Sequence, residues 1–150
     1  MTLQELLDRE EIRVLQNAYN IAGDRGRAED LSKVFAEDGV LQSRAGESNG
    51  REAIVAQLSR RTRDGALREG IDRPMEFVRH NLTTSEVTFD SATEARGRTY
   101  FIVYSEIGPD HQGVYVDRYR KIDGAWKITH RQARIDWVAE GGHSIKSRKS

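Results

Sequence analysis

The hydrophobic pattern of the chain changes its period near residue 77, and this change limits the folds open to it. Before that point apolar residues recur three or four positions apart, which is typical of amphipathic helices. After it they alternate with polar residues, which is typical of strands. The four alternating stretches are residues 77–90, 94–107, 113–122 and 126–138. Short links between them favour an antiparallel meander. The chain is therefore expected to be an α+β protein, with helices first and a sheet after them.

Three helices are predicted in the first half of the chain. The first covers residues 3–23, and Thr2 and Glu5 are placed to form a capping box at its start. The second covers residues 28–35 and the third residues 51–64, because each carries apolar residues on one helical face. Together these helices can cover one face of the sheet.

The segments between these elements are predicted from their turn residues. A short strand is expected near Val40, followed by a loop over residues 46–50. Residues 64–74 are charged and contain glycine, so we expect a long, partly mobile connection there. The Asp-Gly pair at 123–124 is the strongest hairpin signal in the chain. Long strands that bend around helices leave a cone, and its incompletely filled interior is a common binding site.

Composition argues against several classes of protein. The 150 residues contain 24 Lys and Arg and 24 Asp and Glu, so a nucleic-acid partner is not expected, nor is a membrane partner. The absence of cysteine removes disulfides and cysteine-ligated zinc, and it suits a reducing compartment. No apolar run could span a membrane, and the acidic N-terminus is unlike a signal peptide. We expect one cytoplasmic domain over residues 1–138 and a polar, flexible tail over residues 139–150.

His80 is the first candidate for chemistry, because it lies on an apolar strand face. A spacing of two puts Val78, His80 and Leu82 on the same side of the strand. An imidazole there is either a core residue bonded to the backbone or an acid-base group in a pocket, and the pattern leaves both open. His111 and His143 are expected to be exposed. We expect no metal and no cofactor, because metal-ligand spacings and a glycine-rich phosphate loop are both absent from the sequence.

The last strand leaves one orientation open. Arg131 has the parity of Trp137, whereas His130 has the parity of Trp126. A single β-bulge would exchange these faces, so either Arg131 or His130 points into the cone. The residues expected to line the substrate pocket are apolar or aromatic side chains of the strands and of the segment before them: Met75, Val78, Leu82, Phe101, Tyr104, Tyr115 and Trp137.

The order of landmarks along the chain resembles the SnoaL-like branch of the NTF2-like superfamily. The landmarks include "NGREAIVAQL", "RHNLTTSEVTFD" and "GVYVDRYRKIDGAWKITHR", and the resemblance spans about residues 3 to 138. It implies a cone-shaped fold in which three N-terminal helices pack on a curved, mostly antiparallel sheet. Closest in site pattern are scytalone dehydratase, bile acid 7α-dehydratase and hexachlorocyclohexane dehydrochlorinase-like members. Other members are isomerases, polyketide cyclases and non-catalytic subunits, so the fold alone does not fix the function.

The resemblance also implies roles for four residues. In the dehydratases and the dehydrochlorinase an aspartate after the first helix pairs with a histidine on the first long strand, and Asp24 and His80 match them. Tyr19 matches a tyrosine of the dehydratases, and Arg131 matches an arginine of the dehydrochlorinase-like members. His80 would then be a general base oriented by Asp24. Tyr19 and Arg131 would stabilise a developing oxyanion or assist the leaving group.

These expectations favour an enzyme. It would be a cofactor-independent lyase with dehydratase-like elimination, or an isomerase, acting on a small hydrophobic ring compound. The alternatives are a non-catalytic module that binds a hydrophobic ligand or resembles a dioxygenase small subunit, and a polyketide cyclase. Contact between Asp24 and His80 would favour the enzyme over the module. An open sheet with a convex face seeks a partner, and the resemblance favours a homo-oligomer, a trimer over a dimer.

Overall fold

The structure is a computed structural model, and it describes residues 1–64 and 77–142, without the side chains of residues 60–64. Within that part of the chain three helices are present: α1 (Leu3–Asp24), α2 (Ala28–Ser32) and α3 (Arg51–Asp64). The strands are β1 (Phe35–Ser43), β2 (Gly46–Asn49), β3 (Arg79–Phe89), β4 (Glu94–Ser105), β5 (Gly108–Ile122) and β6 (Ala125–Val138). Beyond residue 64 the predicted connection lies outside the described residues, and so does the predicted tail from residue 143 onward.

The six strands form one sheet in the order β2-β1-β6-β5-β4-β3. Strands β3 to β6 are an antiparallel meander, as the sequence predicts. Strand β1 lies parallel to β6 and carries β2 on its other side. The three helices pack on this curved, open sheet, so the predicted α+β, cone-shaped architecture is confirmed. In the described ranges no helix is long and apolar enough to cross a membrane.

The first helix follows from its local sequence. Thr2 and Glu5 form the predicted capping box, in which Glu5 N–H donates to Thr2 Oγ1 at 3.1 Å and Thr2 N–H donates to Glu5 Oε2 at 2.7 Å. One face of α1 contributes Ile12, Tyr19 and Ala22 to the core. The helix ends at Asp24, one residue beyond the predicted end.

The inner face of the sheet supplies most of the remaining core. The buried residues on it include Phe101 and Val103 of β4, Tyr115 and Tyr119 of β5, and Trp126 and Ile128 of β6. The partly buried Val78 and Leu82 pack against the same cluster. Leu31 of α2, Ile54 of α3 and Phe35 of β1 belong to the same cluster, so the core lies between the helices and the inner face of the sheet.

Three predicted boundaries are wrong. Helix α2 ends at Ser32 because Phe35 already pairs with Ile128 as the first residue of β1. Residues 46–49 are strand β2 rather than a loop. Strand β5 begins at Gly108 rather than Gly113, since the turn before it lies at residues 105–108 and "GPDHQG" continues as strand.

Two local predictions on the last hairpin have clear outcomes. Asp123 and Gly124 both take positive φ, 50° and 81°, which confirms the Asp-Gly turn between β5 and β6. Further along the hairpin the register of β5 and β6 shifts by one residue: Tyr119 faces Ile128, but the next residue of β5, Arg118, faces His130. The extra residue is a β-bulge that exchanges the faces, so Arg131 points inward and His130 outward.

Candidate active site

Asp24 and His80 are in direct contact. The distance from His80 Nδ1 to Asp24 Oδ1 is 2.6 Å, and the backbone N–H of His80 donates to Asp24 Oδ2 at 3.0 Å. One carboxylate therefore holds both the ring and the backbone of the histidine. An ionised carboxylate only accepts hydrogen bonds, so Nδ1 carries the proton and Nε2 carries the lone pair of the neutral ring. His80 remains about a quarter exposed, at 23% of its side chain.

The position of both residues in the fold explains this contact. Asp24 is the last residue of α1, where a negative charge is unfavourable and the final turn has no basic side chain. His80 lies on β3, the edge strand of the sheet, whose outward N–H groups have no neighbouring strand among the described residues. The carboxylate of Asp24 accepts a hydrogen bond from the backbone N–H of His80, so the edge strand gains an acceptor and the carboxylate gains a donor.

A second carboxylate–imidazole pair lies nearby. His111 Nδ1 is 2.6 Å from Asp110 Oδ1, while the hydroxyl of Ser105 donates to Asp110 Oδ2 at 2.7 Å. Asp110 is completely buried and the His111 side chain is 14% exposed. The same reasoning as for His80 assigns the Nδ1 proton of His111 and leaves the lone pair on Nε2.

The two imidazoles share one face of the sheet. His80 of β3 pairs with Val103 of β4, and Val103 pairs with His111 of β5, so the three residues form a row across three strands. The ring centroids of His80 and His111 are 6.4 Å apart, and their planes are nearly perpendicular at 84°. Phe101 lies about equally far from both rings, at 6.0 and 6.5 Å. Two acid-base groups therefore border one aromatic surface.

The expectation that His111 is exposed is wrong. It follows from the assignment of "GPDHQG" to a turn, whereas these residues belong to β5. Once the strand starts at Gly108, His111 takes the inward parity of Tyr115 and Asp117. The adjacent "Asp-His" in the sequence is the signal that could have indicated this pair.

Arg131 is completely buried and is bonded to Asp117. Its Nε and Nη2 donate to the two carboxylate oxygens at 2.8 and 2.7 Å, which is a bidentate pair. The guanidinium carbon lies 4.2 Å from the ring centre of Tyr19 and 4.0 Å from that of Tyr115. Burial alone would lower the pKa of Arg131, but the carboxylate outweighs it and the pKa is raised. Arg131 therefore remains a cation. Its Nη1 meets no acceptor among the described residues.

Tyrosines around this ion pair remain neutral. Burial raises the pKa of Tyr115 well above its usual 10, and nearby Tyr19 adds to the rise. The hydroxyl of Tyr115 donates to Asn20 Oδ1 at 3.0 Å. Burial and the neighbouring Asp117 likewise raise the pKa of Tyr119, whose hydroxyl donates to that carboxylate at 2.6 Å. Sequence reasoning did not single out Asp117, although its parity with Tyr115 places it inward.

The seven residues expected to line the pocket divide into three groups. Val78, Leu82, Phe101 and Tyr115 lie on the inner side, packed in or against the core. Tyr104 and Trp137 lie on the outer face, 40% and 46% exposed, and their placement in the pocket is corrected. Trp137 pairs with Gln112 after a second shift in the register of β5 and β6, and Tyr104 has the opposite parity to Phe101. Met75 lies outside the described residues.

A separate groove of about 210 Å³ lies between the ends of β1 and β6. Its lining includes Ser43, Arg44, Gln132 and Arg134, and it contains none of the residues discussed above as acid-base groups. The position of the candidate site is therefore defined by the side chains of His80 and His111 and not by this groove.

Comparison with known proteins places the chain in a fold class with several enzymes. Similar structures include a scytalone dehydratase-like protein from Novosphingobium aromaticivorans, with 24% identity, a TM-score of 0.76 and coverage of 98% of this chain and 95% of that one. The hexachlorocyclohexane dehydrochlorinase LinA-type3 from Novosphingobium barchaimii has 19% identity, a TM-score of 0.75 and coverage of 91% and 92%. An NTF2-like protein with a cystatin-like fold from Novosphingobium aromaticivorans has 27% identity, a TM-score of 0.73 and coverage of 89% and 84%.

The family assignment rests on the sequence as well as on the fold. The predicted resemblance to SnoaL-like and NTF2-like proteins is confirmed, and two of the three structures named above are called a scytalone dehydratase-like protein and a hexachlorocyclohexane dehydrochlorinase. The family model described as "SnoaL-like domain" matches residues 4–132, which is most of the chain. The chain belongs to the SnoaL-like domain family.

Proposed function

We propose that the protein is a cofactor-independent lyase that removes water from a small hydrophobic ring compound bearing a hydroxyl group β to a carbonyl. One observation carries this proposal: Asp24 holds the partly exposed ring of His80 at 2.6 Å, in the tautomer of a general base. A histidine that only filled space would need no carboxylate bound to both its ring and its backbone N–H.

In the first step His80 Nε2 takes the proton from the carbon next to the carbonyl. The electron pair of the broken C–H bond moves toward the carbonyl oxygen, which gives an enolate, and the imidazolium that forms is stabilised by Asp24. A positioned base of this kind contributes typically about 10²–10⁴ in rate. The apolar surface of Val78, Leu82 and Phe101 beside the ring suits a hydrophobic substrate.

In the second step the enolate collapses and the C–O bond to the β-hydroxyl breaks. The leaving hydroxide needs a proton, and His111 supplies it: its Nε2 first takes up a proton from solvent and then gives that proton to the hydroxide, so that water departs. His80 releases its own proton to solvent afterwards, which balances the proton that His111 took up and leaves both rings neutral. The two ring centres are 6.4 Å apart on one face of the sheet, so a substrate that lies over both rings could present one carbon to His80 and the next to His111.

The enolate oxygen also needs a donor. Arg131 is a buried cation whose Nη1 meets no acceptor among the described residues, so it is the group we assign to that oxygen. Tyr19 lies against the guanidinium and holds it in place from one side, and Tyr115 does so from the other. Tyr19 would then act mainly by positioning Arg131.

A panel of cyclic β-hydroxyketones tests the proposal, beginning with 3-hydroxycyclohexanone and 3-hydroxy-1-tetralone. Loss of one water is followed by mass spectrometry. The wild type is expected to turn over at least one member, while His80→Gln and His111→Gln are expected to be folded and to lose most of that activity. His130→Gln is the matched control, because His130 points to the outer face and its change should leave turnover intact. Full activity in His80→Gln would end the proposal.

An isomerase is the second candidate, because two imidazoles on one face of a sheet can also move a proton between carbons. Product analysis in the same assay separates the two reactions. For this comparison the panel also contains 3-cyclohexenone, which has a double bond to shift and no hydroxyl to lose; its conversion to 2-cyclohexenone at unchanged mass indicates isomerisation, whereas a product of a β-hydroxyketone that is lighter by one water indicates elimination. Ligand binding without conversion of any panel member would favour the non-catalytic module.

A further inference from the structure

A glutamine on the buried face of α1 is hydrogen-bonded to two hydroxyls of the sheet. Gln16 is 3% exposed, and its Nε2 donates to the Tyr119 hydroxyl at 2.8 Å and to Thr99 Oγ1 at 3.0 Å. Burying a side-chain amide costs free energy unless the amide is hydrogen-bonded. Both N–H groups of this amide are used, so the two donors of Gln16 are satisfied inside the core.

The direction of these hydrogen bonds follows from Asp117. The Tyr119 oxygen lies 2.6 Å from Asp117 Oδ2, and an ionised carboxylate only accepts, so the single hydroxyl proton of Tyr119 points to Asp117. The group of Gln16 that faces Tyr119 must then be the donor, Nε2, because an amide oxygen there would compete with Asp117 for the same proton. Gln16 therefore fixes the direction in which the Tyr119 hydroxyl points.

The second branch of the network ends at the surface. Because Thr99 Oγ1 accepts from Gln16, its own proton is directed to Ser85 Oγ, 2.8 Å away. Thr99 is completely buried, whereas Ser85 on the edge strand β3 is exposed. The donors thus point outward from Gln16 along both branches. An amide that donates in both directions does not pass a proton from one branch to the other, so its role is orientation.

The sheet leaves space for the Tyr119 ring at this place. Gly97 of β4 pairs with Asp117 of β5, and a Cβ on Gly97 would lie 3.0 Å from Cε2 of Tyr119 and 3.3 Å from its hydroxyl oxygen. These distances are shorter than ordinary van der Waals contact, so a side chain at residue 97 would displace the ring. The position of Tyr119 is therefore set from two sides, by Gln16 of the helix and by Gly97 of the sheet.

The network reaches Arg131 through one carboxylate. Asp117 Oδ2 accepts from the Tyr119 hydroxyl and, at 2.7 Å, from Arg131 Nη2, while Oδ1 accepts from Arg131 Nε at 2.8 Å. These three donors fix the rotation of the carboxylate and with it the plane of the guanidinium. Hydrogen bonds in series polarise one another inside a protein. A change at Gln16 should therefore be felt at Arg131, although three hydrogen bonds lie between them.

We propose that Gln16 is a positioning residue that holds the guanidinium of Arg131 in its orientation by way of Tyr119 and Asp117. Its importance for catalysis rests on the proposed function, in which Arg131 binds the enolate oxygen. That oxygen gains its charge only as the reaction proceeds. Loss of the positioning should therefore lower kcat and leave KM nearly unchanged.

Two variants of Gln16 test the proposal. Gln16→Glu keeps the shape of the side chain. Its carboxylate competes with Asp117 for the Tyr119 proton when it is ionised, and it can donate to Tyr119 when it is protonated. Burial beside Asp117 should raise the pKa of this new carboxyl above its usual value of about 4.3. Gln16→Met removes both donors without adding a charge, and it provides the test if the glutamate variant does not fold.

Gln57→Glu is the matched control. Gln57 is also buried, at 9% exposure, but it is hydrogen-bonded to Ser48 of β2 and Ser43 of β1 rather than to this network. Its replacement adds the same carboxyl group in another part of the core. Circular dichroism checks that the three variants are folded.

The first measurement needs no substrate. The NMR signal of the Arg131 Nε–H proton, identified by its loss in Arg131→Lys, is followed as the pH is raised. It is expected to move in Gln16→Glu as the new carboxyl ionises, to be displaced at every pH in Gln16→Met, and to behave as in the wild type in Gln57→Glu. The pKa values of Tyr119 and Arg131 are both raised, so neither group loses its proton in this titration. A signal at the wild-type position in both Gln16 variants would overturn the proposal.

Steady-state kinetics on any ketone that the wild type converts supply the second measurement. Relative to the wild type at the same pH, Gln16→Glu should lose about 10-fold in kcat at high pH and recover as its carboxyl is protonated; loss of an oxyanion donor outright costs about 10²–10³, and here Arg131 is displaced rather than removed. Equal kcat in Gln16→Glu and Gln57→Glu at every pH would overturn the role in catalysis. If the wild type converts no ketone while the Arg131 signal moves as expected, the proposed function fails and the positioning of Arg131 by Gln16 stands.

Discussion

The ion pair between Arg131 and Asp117 allows a test that needs no substrate. Replacing Asp117 by asparagine keeps the size of the side chain but removes the charge opposite a completely buried guanidinium. Asp117 accepts three hydrogen bonds, from Arg131 Nε, Arg131 Nη2 and the Tyr119 hydroxyl. The variant leaves the cation without a counter-charge in the protein interior.

The expected loss can be estimated from this geometry. Breaking a buried ion pair by removing one partner costs about 3–5 kcal/mol, because the remaining charge stays buried. The free energy of unfolding of proteins of this size is about 5–15 kcal/mol, so Asp117→Asn should lose roughly a fifth of the stability or more. At roughly 2–4 °C per kcal/mol, the Tm should fall by about 6–20 °C. Urea unfolding followed by circular dichroism measures the free energy directly.

Two further variants make the result specific. Asp136→Asn removes the partner of Arg134 in an exposed pair, at 50% and 48% exposure, and should cost no more than about 1 kcal/mol. The double variant Arg131→Met with Asp117→Leu removes both charges and should recover much of the stability lost in Asp117→Asn. If Asp117→Asn and Asp136→Asn lose equal stability within error, the reasoning that burial makes the first pair costly to break is refuted.

Three other predictions can be checked on the same purified protein. Burial would raise the pKa of Asp8, but hydrogen bonds from Lys121 and Trp126 lower it below the usual 3.8. The ionised Asp8 therefore stabilises the fold above that pH, and this stabilisation is lost as the carboxylate is protonated in acid. When the free energy of unfolding is measured against pH, Asp8→Asn should approach the wild type as the pH falls below about 4. Gly113→Ala should lose more than the roughly 1–3 kcal/mol of ordinary overpacking, since its Cβ would lie 1.9 Å from the carbonyl oxygen of Arg134; equal Tm values would contradict this. Asp24→Asn should lower turnover by at least about 10² at unchanged fold, because the His80 tautomer is no longer fixed, and steady-state kinetics on any substrate found above would measure it.

Much of the fold could be predicted because local signals and tertiary structure agree. The capping box at Thr2 and Glu5 and the Asp-Gly turn at 123–124 depend on neighbouring residues alone, and both are present. Alternation of apolar residues predicts the meander for the same reason. The second helix was predicted too long because burial at Leu31, Val34 and Phe35 fits helical spacing, although Phe35 pairs in the sheet.

The site could be predicted only where parity was unambiguous. His80 alternates with exposed neighbours on an uninterrupted stretch of β3, so its inward position follows from the pattern. Arg131 depends on a bulge, Trp137 on a second register shift, and His111 on where β5 begins. Bulges and strand starts are set by pairing with distant residues, which a single sequence does not display. The catalytic roles of these residues and the expected homo-oligomer stay predictions.

The central claim is that Asp24 makes His80 a general base. Exchange of carbon-bound hydrogen with solvent tests this claim directly, because it needs proton removal but no departure of a leaving group. The 3-hydroxycyclohexanone and 3-hydroxy-1-tetralone panel is incubated in D₂O, and loss of the proton next to the carbonyl is followed by NMR. The wild type should accelerate this loss on at least one ketone, Asp24→Asn should do so at least about 10²-fold less, and His80→Gln should match the rate without protein. Exchange in folded His80→Gln at the wild-type rate, or no exchange above the buffer rate with the wild type on any ketone, would contradict the claim.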